Sequence, residues 1–103
     1  MKEQLDSRAM EILLFIVDAK EKITMAWDKS LNREFSQSYE LISSANQDIK
    51  MCWELHTYLT SQATTDTIEA DFIATLDKIL QGIQEEYLNI KKLTRLLQQT
   101  YSL

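Results

Sequence analysis

Apolar side chains recur along this chain at alternating spacings of three and four, and that rhythm confines it to helices. One row runs Leu5, Ala9, Ile12, Ile16, Ala19, Ile23, Ala26 and Ser30; a second runs Phe35, Ser38, Ile42, Ala45, Ile49, Cys52, His56 and Leu59. The third runs Ile73, Leu76, Leu80, Ile83, Tyr87, Ile90, Thr94, Leu97 and Tyr101. Such spacing lines side chains along one stripe of a helix, whereas a strand needs period two. Flanking Leu13, Phe15, Trp27, Leu41, Trp53, Phe72, Ile79 and Leu93 widen each stripe to a face suited to a bundle core. One glycine and no proline among 103 residues leave little material for tight turns or sheets.

The expected fold is therefore all-α: an elongated, antiparallel three-helix bundle with coiled-coil-like packing, formed as a single domain over residues 1–103. The helices are predicted at about 3–30, 33–61 and 67–101. Asn32 reads as the N-cap of the second helix, with Glu34 favourable to its dipole. Asp66 followed by Glu69 resembles a capping box for the third. A third helix of that length reaches on the order of 50 Å, longer than a compact chain of this size requires. Polar residues on the stripes, Ser30, Ser38, His56 and Thr94, are of the kind that set register or assembly state. Together these features predict a homo-oligomer.

The formal net charge is −5, and an acidic surface repels phosphate backbones and anionic lipid. Neither nucleic acid nor membrane insertion is expected. The longest apolar run, Ile12 to Val17, is six residues, too short to span a bilayer, and it lacks a signal-peptide pattern. The lone cysteine, Cys52, forbids an intramolecular disulfide and suits a reducing compartment. The expected location is the cytoplasm.

The first two helices resemble the IIA subunits of the lactose/cellobiose class of bacterial sugar phosphotransferase systems. The likeness is carried by Glu11-Ile12, Asp18-Ala19-Lys20, Lys22-Ile23 and Ala26, then Asn32, Phe35, Leu41-Ile42, Ala45 and Ile49, without gaps. It covers about half of the chain. It implies a trimer of three-helix hairpins whose third helices meet around a central axis. The family also carries a His-x-Gln-Asp-His run early in helix three; its first His takes phosphate from a phosphocarrier protein and passes it to a IIB partner, and its Asp can hold a metal ion on the axis. This chain has no His in helix three. The gapless register puts Asp77 at the phosphorylated position and Leu80 at the family Asp. A register matched on Gln84-Glu85 puts Gly82 there instead. The family's Ala-His and Gln-Thr near the end of helix two become Trp53 and His56-Thr57.

His56, the only histidine, is either a relocated phosphoacceptor or a half-buried polar residue bonded to a neighbouring helix. Cys52 lies four residues before it and could share its helix face. A thiolate–imidazole pair is a nucleophile, and two ligands at that spacing can hold metal. Yet no glycine-rich loop supplies an oxyanion site, and no second His or Cys completes a zinc set, so Cys52 reads as core. The carboxylates Asp66, Glu69, Asp71, Asp77, Glu85 and Glu86 read as a solvated acidic face, with Asp77 of interest for its aligned position. Lys91, Lys92 and Arg95 suit a helix C-terminal half or an acidic partner. Trp27 and Trp53 read as interhelical packing; exposed beside Phe15 or Tyr39, either becomes an interface anchor.

The leading expectation is a non-catalytic, oligomerising protein-interaction module, IIA-like but without its phosphoacceptor, binding a protein partner through helix faces. A trimer is favoured, and neither cofactor nor metal is called for. The alternatives are an active sugar-phosphotransferase IIA phosphocarrier using His56, or a small helical chaperone or immunity protein.

Overall fold

The computed structural model describes the backbone of residues 2–62 and 67–101 and the side chains of 7–62 and 69–101. Three helices account for nearly all of it: α1, Lys2–Leu31; α2, Phe35–Gln62; α3, Thr67–Tyr101. Partners across α1 and α2 run in opposite directions: Cys52 meets Ile12, Asp48 meets Lys22, and Ser38 meets Ser30. α3 returns beside α2 antiparallel to it, with Ile73 at His56, Gln84 at Trp53 and Gln98 at Tyr39. The result is an antiparallel three-helix bundle, 57 Å long and 17 × 16 Å in section.

The three stripes form the core. Ala9, Ile12, Ile16, Ala19, Ile23 and Ala26 of α1 are buried against Ile42, Ala45, Ile49, Cys52 and Leu59 of α2 and Ile73, Leu76, Leu80, Ile83, Tyr87 and Ile90 of α3. Small residues alternate with isoleucine on α1 and α2, so these two helices pack closely along their length while α3 engages them less extensively. Phe15, Trp27, Tyr39, Leu41, Trp53 and Leu55 seal the edges. Tyr101 departs from the stripe pattern: it is exposed, its ring 6.4 Å from that of Phe35 and 3.9 Å beneath the Arg33 guanidinium.

The α1–α2 turn corrects the capping expectation. Asn32 does not cap α2, which starts two residues later than predicted. Its backbone N–H donates to Asp28, that of Arg33 to Ser30 and that of Glu34 to Lys29. With Arg33 at φ 63°, this is a Schellman closure of α1. Glu34, whose carbonyl accepts from the Ser38 N–H, becomes the residue that opens α2. Asp66 of the expected Asp66–Glu69 capping box and the side chain of Leu5 lie outside what is described.

One polar layer crosses the core near this turn. Ser30, Ser38 and Thr94, one from each helix, are all fully buried. Ser38 Oγ donates to the Ala26 carbonyl (3.0 Å), which can only accept. Ser38 must then accept from Ser30 (2.6 Å), and Ser30 from Thr94 (2.7 Å). The protons therefore run one way, from α3 through α1 to α2 and back to α1.

Removing the middle hydroxyl strands the Thr94 proton, whereas removing the first donor, Thr94, strands none. Ser30→Ala should cost about 2 kcal/mol and Thr94→Val less than about 1 kcal/mol, as read by urea denaturation. At Arg33, alanine and glycine both lose the Tyr101 contact, but only glycine relaxes the positive φ. Arg33→Gly should therefore be about 1 kcal/mol more stable than Arg33→Ala.

Candidate functional site

His56 and Asp77, singled out for separate reasons, face each other across α2 and α3. His56 Nε2 lies 3.3 Å from the Ile73 carbonyl and 3.9 Å from Asp77 Oδ1. A carbonyl cannot donate, so this contact requires Nε2–H, which leaves Nδ1 with the lone pair of the neutral ring. The Trp53 indole meets the imidazole edge-on at 5.6 Å and donates from Nε1 to Gln84 Oε1 (3.1 Å). Asp77 Oδ2 accepts from Gln81 (2.8 Å). His56, Thr60, Ala70, Ile73, Ala74 and Asp77 line a shallow groove of about 340 Å³.

An oriented imidazole beside a carboxylate is a competent base in principle. A phosphoryl acceptor also needs cations or amide donors to hold the anion. Among the described residues that line it there is no Lys or Arg, and Asp77 adds a carboxylate where phosphate oxygens would sit. What the geometry does show is His56 bonded to the neighbouring helix.

Cys52 and His56 do not meet as a pair. The Cys52 thiol turns toward α1 and donates to the Ile12 carbonyl (3.6 Å), while His56 turns toward α3. Burial, reinforced by the Asp48 charge, pushes the thiol up to about 12, which leaves almost no thiolate near neutrality. Trp27 and Trp53 are half-buried edge residues of the core. Glu85, Glu86, Lys91, Lys92 and Arg95 are exposed on α3, with Lys91 5.8 Å from the Tyr87 ring centre. Asp71 is exposed too, and Asp66 lies outside the described residues. Among the described residues no three His, Cys, Asp or Glu side chains are placed to hold a metal ion, and no helix is long and apolar enough to cross a membrane.

The sequence pattern did not reveal a second polar cluster. Lys22 Nζ lies 2.6 Å from Asp18 Oδ2 and 2.9 Å from Asp48 Oδ2, tying α1 to the buried Asp48 of α2. Burial, with Asp18 alongside, raises the Asp48 pKa. The hydrogen bonds from Asp48 and Lys22 lower that of Asp18. Burial opposes the Lys22 charge, but its bonds to the two carboxylates outweigh that and raise its pKa. The only sequence signal was Asp48 beside a stripe residue, Ile49. Next to this cluster Arg8, Glu11, Leu14, Phe15, Asp18, Met51 and Leu55 line a larger open groove of about 510 Å³.

The chain matches no protein-family model, and comparisons with curated proteins and with solved structures return no match. The likeness to the IIA subunits therefore rests on the residues quoted from the sequence.

Lys22→Met leaves Asp48 beside Asp18 without a cation and should cost about 2 kcal/mol at pH 7. The sign with pH follows from Asp48. A carboxyl raised above its unfolded value regains stability as pH falls through the folded pKa. The penalty should therefore shrink in urea denaturation at pH 4.5, and adding Asp48→Asn should recover most of it at pH 7.

Proposed function

We propose that this chain is a non-catalytic helical module that assembles with itself and docks a protein partner through its outer helix faces, as a IIA-like bundle without a phosphoacceptor. One observation carries the reading: the bundle has more surface than its mass requires, and large apolar side chains stand exposed on it. Its accessible surface is 6852 Å², against about 6,000 Å² for a compact monomer of this mass. The difference is roughly the 800 Å² that one partner contributes to a standard interface. The radius of gyration, 16.3 Å, likewise exceeds the roughly 13 Å of a compact domain of this length.

α3 supplies the face for self-association. Phe72, Ile79 and Leu93 line one flank of the α3 stripe, Leu96 lies farther round it, and all four are exposed. Gly82 falls on that flank, where a Cβ would meet nothing within 4 Å. No neighbour in the chain requires glycine there, although in a helix interior it costs up to about 1 kcal/mol relative to alanine. Its absent side chain lets the backbone of another helix approach, and a trimer about α3 fits both this face and the resemblance. The groove at His56 supports the non-catalytic half of the reading, because its described lining offers phosphate a carboxylate and no cation.

Light scattering after gel filtration should give a mass above one chain that falls with dilution. Ile79→Lys and Leu93→Lys should each shift it to the monomer while helicity is retained. A monomeric wild-type chain at high concentration would remove the self-association. Incubation with the general phosphocarrier enzymes and labelled phosphoenolpyruvate should transfer no label; label lost in His56→Ala would establish the phosphocarrier alternative instead.

A further inference from the structure

The groove between α1 and α2 has apolar walls and two electrically unlike ends. Leu14 and Phe15 form one wall, Met51 and Leu55 the other. Leu14 is 65% exposed, and Met10 and Val17 beside it on the same face are 58% and 62% exposed. At one end Arg8 is satisfied within the chain: it pairs with Glu11 (3.2 Å) and lies 5.3 Å over the Tyr58 ring. That end is neutral. At the other end two carboxylates, Asp18 and Asp48, share the single ammonium of Lys22. The cluster keeps one net negative charge, and Asp18, half exposed, carries it on the groove lining.

The separation of residues 8 and 18 along α1 is about 15 Å, three turns of a docked helix. We propose that this groove docks an amphipathic helix of a partner protein, presenting apolar side chains at helical spacing and then a Lys or Arg that pairs with Asp18. The inference rests on the protein-interaction reading and names the chemistry of the partner. Apolar walls of Leu, Phe and Met suit the i, i+3, i+4 anchors of a helix in a groove, and Met51 can adapt to their shape. Charge selects the helix: an acidic or uncharged one covers the cluster with its one excess negative charge uncompensated, and a basic residue at that end removes the penalty.

A 14-residue Leu/Lys peptide with leucines at i, i+3, i+4 and i+7 is the probe, titrated into the full chain with methyl resonances of Leu and Met observed. Its Leu/Glu counterpart is the charge control. Signals of Leu14, Met51 and Leu55 should move with the Leu/Lys peptide and stay fixed with the other. Asp18→Asn should weaken binding about fivefold and Leu14→Asp tenfold or more, whereas Glu86→Gln, which removes the same charge on α3, should leave it within about twofold. Leu14 is exposed, and Asp18→Asn keeps the Lys22–Asp48 bond, so both variants should retain native helicity. Four results would overturn the proposal: no binding, equal binding of both peptides, shifts confined to other faces, or equal weakening by Glu86→Gln. Conversion of an oligomer to monomer by Leu14→Asp would also overturn it, by showing a second copy in the groove. Self-association through α3 is read independently from the Ile79 and Leu93 variants, so either reading can fail while the other stands.

Discussion

Three hydroxyls, each with a single proton, fix how the helices sit against one another. Stripes built from isoleucine, leucine and alanine at heptad-like spacing pack tolerably after sliding by two turns, because one apolar layer resembles the next. The Ser30–Ser38–Thr94 relay does not slide. It places an acceptor before each donor only when one turn of α1, one of α2 and one of α3 coincide. In any other register three buried hydroxyls face apolar neighbours, each at the cost of an unmade hydrogen bond. The longer-range polar contacts follow from that alignment: Lys22 reaches Asp48, Trp53 reaches Gln84, and His56 reaches Ile73 and Asp77.

Burial was legible in the sequence because it depends on periodicity, which a single strand of letters carries. The stripe residues from Ala9 to Leu97 whose side chains are described are all buried or half-buried. The turn was less legible. A Schellman closure is announced by glycine or asparagine at the left-handed position, and here Arg33 occupies it. Its compensation comes from Tyr101, at the far end of the chain, whose ring lies under the guanidinium. A local reading of Asn32-Arg33-Glu34 has no access to that partner and assigns the cap to the best local candidate, Asn32.

The polar sites failed to be legible for a related reason. Asp48 stands beside Ile49 in the sequence, and nothing there distinguishes a buried carboxylate from a solvated one. Its partners are 26 and 30 residues away on another helix, so its role appears only once the register is known. His56 and Asp77 were each notable alone; that they face one another is a property of the α2–α3 alignment. The same alignment separates His56 from Cys52, since residues four apart on a helix can still lean to opposite neighbours.

These contacts divide the molecule's chemistry between inside and outside. Inside, the reactive groups are occupied: Cys52 is buried with its thiol pushed up to about 12, and the Nε2–H of His56 is held by a helical carbonyl. Outside, Met10, Leu14, Val17, Ile79 and Leu93 bury little that the core needs. Polar residues at those positions would preserve the bundle and hold the chain soluble and apart. Gly82 points the same way, because alanine would fit and favour the helix. Folding alone therefore accounts for the stripes and leaves the outer faces without a reason. The self-association and docking proposed above would supply one, on the surfaces that the core does not use.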